Sequence, residues 1–250
     1  MPESNPTRRA ALADVVRAHG APNFRDLGGL ATGDGRVVAP GRLYRTSALH
    51  LLDEQGAAAL ADLGLATWID LRSPAEAAAT GRGHVSGALV RRPRTLGGDV
   101  DATTWTLPLP ARYAQYLEDR ASVVAALGDL AEPGAVPAVV GCFFGKDRTG
   151  VLIALVLEAL GVAREAVLAD YAASAEPTAR FVARLTRDPV EAAALAAAPP
   201  ERLTARAATL AGLLAGLDAE GGVVAYLARA GFGSGEVARL RDALLAVPGA

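Results

Sequence analysis

The residues most able to do chemistry lie between Cys142 and Gly150, in the run CFFGKDRTG. Cys142 is the only cysteine in the chain of 250 residues, and Arg148 follows it by six positions. A buried strand ending at Gly141 and an apolar helix beginning near Gly150 would place this loop at a helix N-terminus. Backbone N–H groups left unpaired there converge on an anion, and the helix dipole favours negative charge. Gly145 lets the backbone turn sharply. A cysteine so placed is favoured as its thiolate, a nucleophile at neutral pH. Arg148 offers a planar, permanently charged fork for two oxygens of a phosphate or sulfate. Thr149 can set a hydroxyl beside the sulfur, where it would stabilise the thiolate and later help it leave a phospho-cysteine. Phe143, Phe144, Gly145, Lys146 and Thr149 are the expected phosphate-binding residues around the nucleophile Cys142. Attack on phosphorus is the chemistry this set equips.

A lone cysteine after an apolar run is, by itself, most often core. The neighbouring Lys146, Asp147 and Arg148 reverse that reading. A nucleotide-binding phosphate loop of the form G-x-x-x-x-G-K-[ST] is excluded, because it needs glycine where Val140 stands and Ser or Thr where Asp147 stands.

The elements that must position this loop are found from β-branched runs and from Gly and Pro punctuation, since alanine is abundant throughout. Strands are expected within 36–47, 65–72, 87–92 and 135–141. Helix-like segments lie between them, one with Asp53 as N-cap and one over 111–131. Alternation of strands and helices points to an α/β sheet. After Val151 every segment reads as helical: 150–160, 163–173, 177–187, 201–217, 221–230 and 235–246. The expectation is one domain over 1–250, with an N-terminal helix or extension within 1–20.

Composition narrows the function. A formal net charge of -2 and a sequence pI near 6.0 argue against nucleic acid as the main partner. A single cysteine excludes an internal disulfide and leaves no resolving thiol, while His19, His50 and His84 form no ligand cluster, so neither metal nor other cofactor is expected. The first twenty residues lack an apolar signal region, and no run approaches the ~18 apolar residues of a membrane span. A cytoplasmic location is expected, with export lacking a cleaved signal left open.

CFFGKDRTG is similar to the C-x5-R loop of cysteine-dependent phosphatases, in the version carried by the atypical bacterial tyrosine phosphatases. NFRDLGG (23–29), GRLYRTSAL (41–49), DLRSPAE (70–76), VLADY (167–171), GGVVAYLARAGF (221–232) and VARLRDALL (237–245) resemble that family's segments in the same order. The resemblance spans roughly residues 20–247. It implies a cysteine-phosphatase fold, a central mostly parallel sheet flanked by helices, with a helical lid within about 174–218. It also implies phosphotyrosine, other phosphoamino-acid or phosphoinositide substrates, and no metal. By position, Cys142 matches the nucleophile, Arg148 the phosphate-binding arginine, Lys146 a second positive contact to the substrate, and Asp147 a candidate proton donor; its alternative is to orient Arg148 or a loop amide. Asp99 and Asp101 are the other possible donors. Gly141 departs from the family, whose members mostly carry a histidine there that helps order the loop and favour the thiolate. Phe144 is bulky where small residues are common.

Other residues have a structural reading beside the functional one. Arg25, Asp26 and Arg45 would line the pocket or form a buried ion pair fixing the N-terminal loop. Asp70 and Arg72, at a strand end, would hydrogen-bond the loop around Cys142. The three histidines read as ordinary surface positions. Arg91, Arg92 and Arg94 form a basic cluster, either a solvated edge or a guide for polyanionic substrates. Two rivals to a phosphatase remain: a phospho-ligand binding module whose thiol has lost reactivity, and a sulfur-transfer enzyme carrying a persulfide. Asp147 and Thr149 speak against the first, and the fixed arginine fork against the second. Oligomeric state is not legible.

Overall fold

The structure, a computed structural model, describes residues 5–99, 104, 106–187, 189–196 and 198–248. Five strands form the main sheet: β1 (Arg25–Asp26), β3 (Leu43–Thr46), β4 (Thr67–Asp70), β5 (Val90–Pro93) and β6 (Ala138–Gly141). Their order is β1-β3-β6-β4-β5, with β1 antiparallel on one edge and the other pairs parallel. β6 is central, and all four of its residues are buried, as a strand covered on both faces requires. Thr46 of β3 and Asp70 of β4 both pair with Gly141, so three strand ends meet where the cysteine loop starts. Pockets in open α/β sheets form at such carboxyl ends.

Helices cover both faces. On one lie α1 (Pro6–Ala18) and α2 (Glu54–Asp62), over a core of Phe24, Tyr44, Leu60 and Trp68. α3 (Pro74–Thr80) follows β4, and α4 (Leu109–Glu118) and α5 (Arg120–Ala131) precede β6. The other face centres on α6 (Asp147–Leu160), which has buried residues all around except Asp147 and Glu158 and ends at Gly161 in the left-handed region, φ 86°. Such a helix must be wrapped by others. α4, α7 (Arg164–Ala172), α11 (Gly222–Ala230) and α12 (Ser234–Leu244) all pack on it. Each of its buried Val, Leu and Ile side chains contributes roughly 1.5–3 kcal/mol of burial. α8 (Ala175–Leu185), α9 (Pro189–Ala196), a 3-10 turn at Pro200–Leu203 and α10 (Ala207–Ala219) complete the second half. Val37–Val38 (β2) and Leu245–Ala246 (β7) form a separate antiparallel pair.

The α/β class and the mostly parallel sheet agree with the sequence reading. Local boundaries differ. The run 36–47 breaks into β2 and β3 around Pro40 and Gly41, and the strand expected at 87–92 is Val90–Pro93. The helix expected over 201–217 starts at Ala207, since Pro199 and Pro200 begin a 3-10 turn instead. α6 begins at Asp147 rather than near Gly150. α3, β1 and β7 go beyond the sequence expectation, while α9 and the following turn fit a helix end and a turn within 192–200; the two strands are two residues long and exist only through their partners.

Candidate active site

The loop between β6 and α6 is clamped from several directions. Gly145 has φ 67°, and a Cβ on it would sit 2.2 Å from the carbonyl oxygen of Thr46, so both conformation and space demand glycine. Asn23 Nδ2 donates to the carbonyl oxygens of Phe144 and Gly145 at 3.1 and 2.8 Å, and Arg45 Nη2 donates to Gly145 O at 2.7 Å. Ala48 N donates to Phe143 O at 2.8 Å. The loop carbonyls are thereby held by the β1 and β3 side of the fold.

Arg45 is held in turn. Asp170 of α7 accepts from Arg25 Nε at 2.8 Å and pairs through its other oxygen with Arg45 Nη1. Burial alone would raise the Asp170 pKa, but the Arg45 and Arg25 charges outweigh it and hold the carboxyl below its usual range. Burial, then the charge of Arg45, lowers Arg25 to about 10. The ion-pair reading of Arg25 and Arg45 is the one the structure supports. Asp26 instead accepts from the backbone of Gly28 and Gly41 and stabilises that turn.

Arg148 is buried at the start of α6. Its Nη1 and Nη2 grip the Glu76 carboxylate at 2.5 and 2.7 Å, and Nη1 also donates to Leu71 O at 3.1 Å. A guanidinium has five N–H groups. These three bonds leave Nε–H and one Nη2–H, the side edge of the fork, for an anion. Burial works against the charge of Arg148, but Glu76 and Cys142 outweigh it and raise its pKa. Glu76 also accepts from Ser73 N at 2.7 Å in the capping box of α3, so one carboxylate starts a helix and aims the arginine. The sequence reading quoted DLRSPAE without assigning Glu76; the S-x-x-E spacing was the available signal.

Asp147 accepts from Tyr113 O–H at 2.6 Å and lies 3.2 Å from Lys146 Nζ. Tyr113 O–H and Tyr171 O–H are 2.6 Å apart, which links α4, α6 and α7 beside the loop. Burial, and then the Asp147 charge, pushes the Tyr113 phenol far up, so it remains a donor. Asn23, Tyr113, Asp170 and Tyr171 were likewise unassigned by sequence, although three of them lie in segments that carried the resemblance.

Other expectations are corrected. Lys146 does not face an open pocket. Its Nζ is fully buried and donates to the carbonyl oxygens of Arg202 and Thr204 at 2.7 and 2.8 Å. The side chains of Phe143 and Phe144 cluster with Phe181 of α8, with ring centroids 5.3–5.5 Å apart, which leaves their backbone N–H groups as what they could offer an anion. Thr149 Oγ1 is buried and has no hydrogen-bond partner among the described residues, the cysteine sulfur included. Asp70 and Arg72 pair with each other, and Arg72 reaches His50, Thr80 and Gly81, not the cysteine loop. The backbone of Leu71 makes the contacts there, Leu71 N to Gly141 O at 2.7 Å. His50 is not an ordinary surface residue: burial, then the Arg72 charge, lowers it to about 4. Arg91 pairs with Asp70, and Arg92 and Arg94 pair with Asp129, which compensates the supposed basic cluster. Asp99 is exposed, and Asp101 lies outside the described residues.

Gly141 has a local cause. A Cβ there would lie 2.5 Å from Thr46 Cγ2, so the threonine methyl occupies the space that any larger residue needs. Cys142, only 3% exposed, lies beneath this packing. Among the described residues no group of His, Cys, Asp and Glu is arranged to hold a metal ion.

A family model described as tyrosine phosphatase family matches residues 16–246. The chain is 30% identical to the triple specificity protein phosphatase PtpB of Mycobacterium tuberculosis over 274 aligned residues, covering 90% of this chain and 97% of that protein. It is also 35% identical to a candidate tyrosine-protein phosphatase of Cupriavidus necator over 172 aligned residues, covering 64% of this chain and 62% of the relative. This chain belongs to the tyrosine phosphatase family.

Proposed function

We propose that this phosphatase hydrolyses phosphate monoesters, phosphotyrosine foremost, through a phospho-cysteine formed on Cys142. The observation that carries the reading is the posture of Arg148: gripped end-on by Glu76, it leaves its side edge open beside the loop that begins with Cys142. In the first step the Cys142 sulfur attacks phosphorus in line with the leaving oxygen. The S–P bond forms as the P–O bond breaks, and the loop N–H groups and Arg148 stabilise the equatorial oxygens. Asp147, at the start of α6 and reached by Tyr113, gives its proton to the leaving oxygen. Water then attacks the phospho-cysteine, Asp147 takes a proton from it, and the S–P bond breaks to release phosphate.

Substrate must reach a cysteine that is covered. α8, α9 and the turn at Pro200–Leu203 contribute Phe181, Leu195 and Leu203 to the cluster over Phe143 and Phe144. We take this segment as a lid that opens for substrate. PtpB is named a triple specificity phosphatase, which keeps phosphoserine, phosphothreonine and phosphoinositides among the substrates to test.

A binding-module reading is favoured by one feature, Gly141 beside a Thr149 that does not bond the sulfur. Phosphate release from para-nitrophenyl phosphate, with chelator present, for the native chain and Cys142→Ser decides between them. Turnover abolished by the substitution supports the phosphatase mechanism. No turnover at any pH from 5 to 9, with phosphate still bound, supports the module.

A further inference from the structure

The buried basic side chains near the loop mostly have a carboxylate: Arg45 has Asp170, Arg72 has Asp70, Lys146 has Asp147 and Arg148 has Glu76. Arg112 of α4 has none among the described residues. It is 1% exposed, and its polar partner is the neutral Gln115, which accepts from Nη1 at 2.8 Å. Arg112 Nε and Nη2 are buried and have no hydrogen-bond partner among the described residues. These two nitrogens form the side edge of the guanidinium fork. It is the edge with which Arg72 holds Asp70, Nε to Oδ1 at 2.9 Å and Nη2 to Oδ2 at 2.7 Å. A buried cation with an open bidentate edge is strongly destabilising unless an anion completes it.

Its position ties that edge to the site. The guanidinium lies over the Tyr116 ring, 5.0 Å from its centroid, which fixes its plane. The Tyr116 phenol lies in the field of Arg148, Asp147, Arg112 and Cys142 together. Between the two, Tyr113 donates to Asp147. α4 therefore carries Arg112 within one turn of Tyr113, the residue that touches the loop end at Asp147. Lys146 and Arg91, Arg92 and Arg94, the basic groups that the sequence suggested for this task, are already neutralised or covered.

We propose that Arg112 is a substrate-binding residue that seats a second, non-reacting oxyanion of the substrate, a carboxylate flanking the phosphotyrosine of an acidic phosphopeptide. The proposal rests on the phosphatase reading above. The side edge takes both carboxylate oxygens in a desolvated setting, so specificity comes from an otherwise unpaired buried charge.

The test uses the full chain and two phosphotyrosine peptides that differ only in having glutamate or glutamine on both sides of the phosphotyrosine. The native chain is expected to favour the acidic peptide in kcat/KM by at least about tenfold. Arg112→Met should erase the preference. Gln115→Glu is the second variant: it places a carboxylate at Arg112 Nη1, so the fold keeps a charge-compensated arginine while the side edge loses its uncompensated charge, and the preference should again disappear. No preference in the native chain, or one that survives both substitutions, overturns the proposal. If neither peptide is turned over, the phosphatase reading fails separately, and calorimetric titration of inorganic phosphate into the chain decides the seat. A second equivalent lost on Gln115→Glu supports it, and a single equivalent in both chains overturns it.

Discussion

Lys146 and Arg202 join the candidate active-site loop to the segment that covers it: the Lys146 ammonium donates to the carbonyl oxygen of Arg202 at 2.7 Å. Arg202 extends the connection, since its Nη2 donates to the carbonyl oxygens of Thr104 and Leu107. Removing the ammonium should loosen the cover. With a hydrogen bond to a charged group worth about 1.5–3 kcal/mol, Lys146→Met should speed iodoacetamide alkylation of Cys142 by at least about tenfold through local opening. An unchanged alkylation rate would mean that the cover is held by the phenylalanine cluster alone.

Glu76 sets the posture of Arg148 and completes the α3 capping box. Glu76→Gln keeps the size and removes the charge. We expect kcat/KM on para-nitrophenyl phosphate to fall by about ten- to hundredfold, because the arginine is misplaced relative to the transition state. Thermal unfolding should show a lower Tm as well. A variant with normal turnover would show that Arg148 finds its place without the carboxylate.

The Gly141–Thr46 contact predicts a rescue. Gly141→Ala drives a Cβ to within 2.5 Å of the threonine methyl, and overpacking of this kind costs about 1–3 kcal/mol. Thr46→Ser removes the methyl, so the double variant should recover most of the loss in urea unfolding. Additive losses would refute the contact as the reason for glycine.

Acid should destabilise the fold in two stages. His50 is lowered to about 4, by burial and the Arg72 charge, against about 6.5 in the unfolded chain. Between those values the unfolded state binds a proton that the folded state does not, so stability falls as pH drops from about 6.5 to 4. His50→Gln should flatten that interval in urea titrations at a series of pH values.

Asp170 acts lower on the scale. Despite the opposing effect of burial, Arg45 and Arg25 depress its pKa. Its contribution is therefore complete above the unfolded carboxylate value of about 3.9 and is lost as pH falls through the folded value. Asp170→Asn should be less stable than the native chain at pH 7 and should lose less stability below pH 4. Parallel curves for the two chains would exclude the ion pair as the source.

Much of the site was legible because its chemistry is local. Cys142, Asp147 and Arg148 lie within one loop, and a strand followed by a glycine-bearing turn and an apolar helix specifies an anion cradle whatever surrounds it. The α/β class was legible for a similar reason, since alternating strand and helix patterns leave few ways to bury their apolar faces. Sequence alone therefore determined the candidate loop, the family resemblance and the order of the main elements. Tertiary structure decided the partners. Glu76 lies 72 positions from Arg148 and Asp170 lies 125 from Arg45, so neither pairing follows from spacing. Whether Lys146 meets substrate or a backbone carbonyl, and whether Arg112 has a counter-ion, depends on which distant segment packs against each. A charged side chain carries its chemistry in its own residue type, but its availability depends on which groups satisfy it after burial, and only the folded chain fixes those.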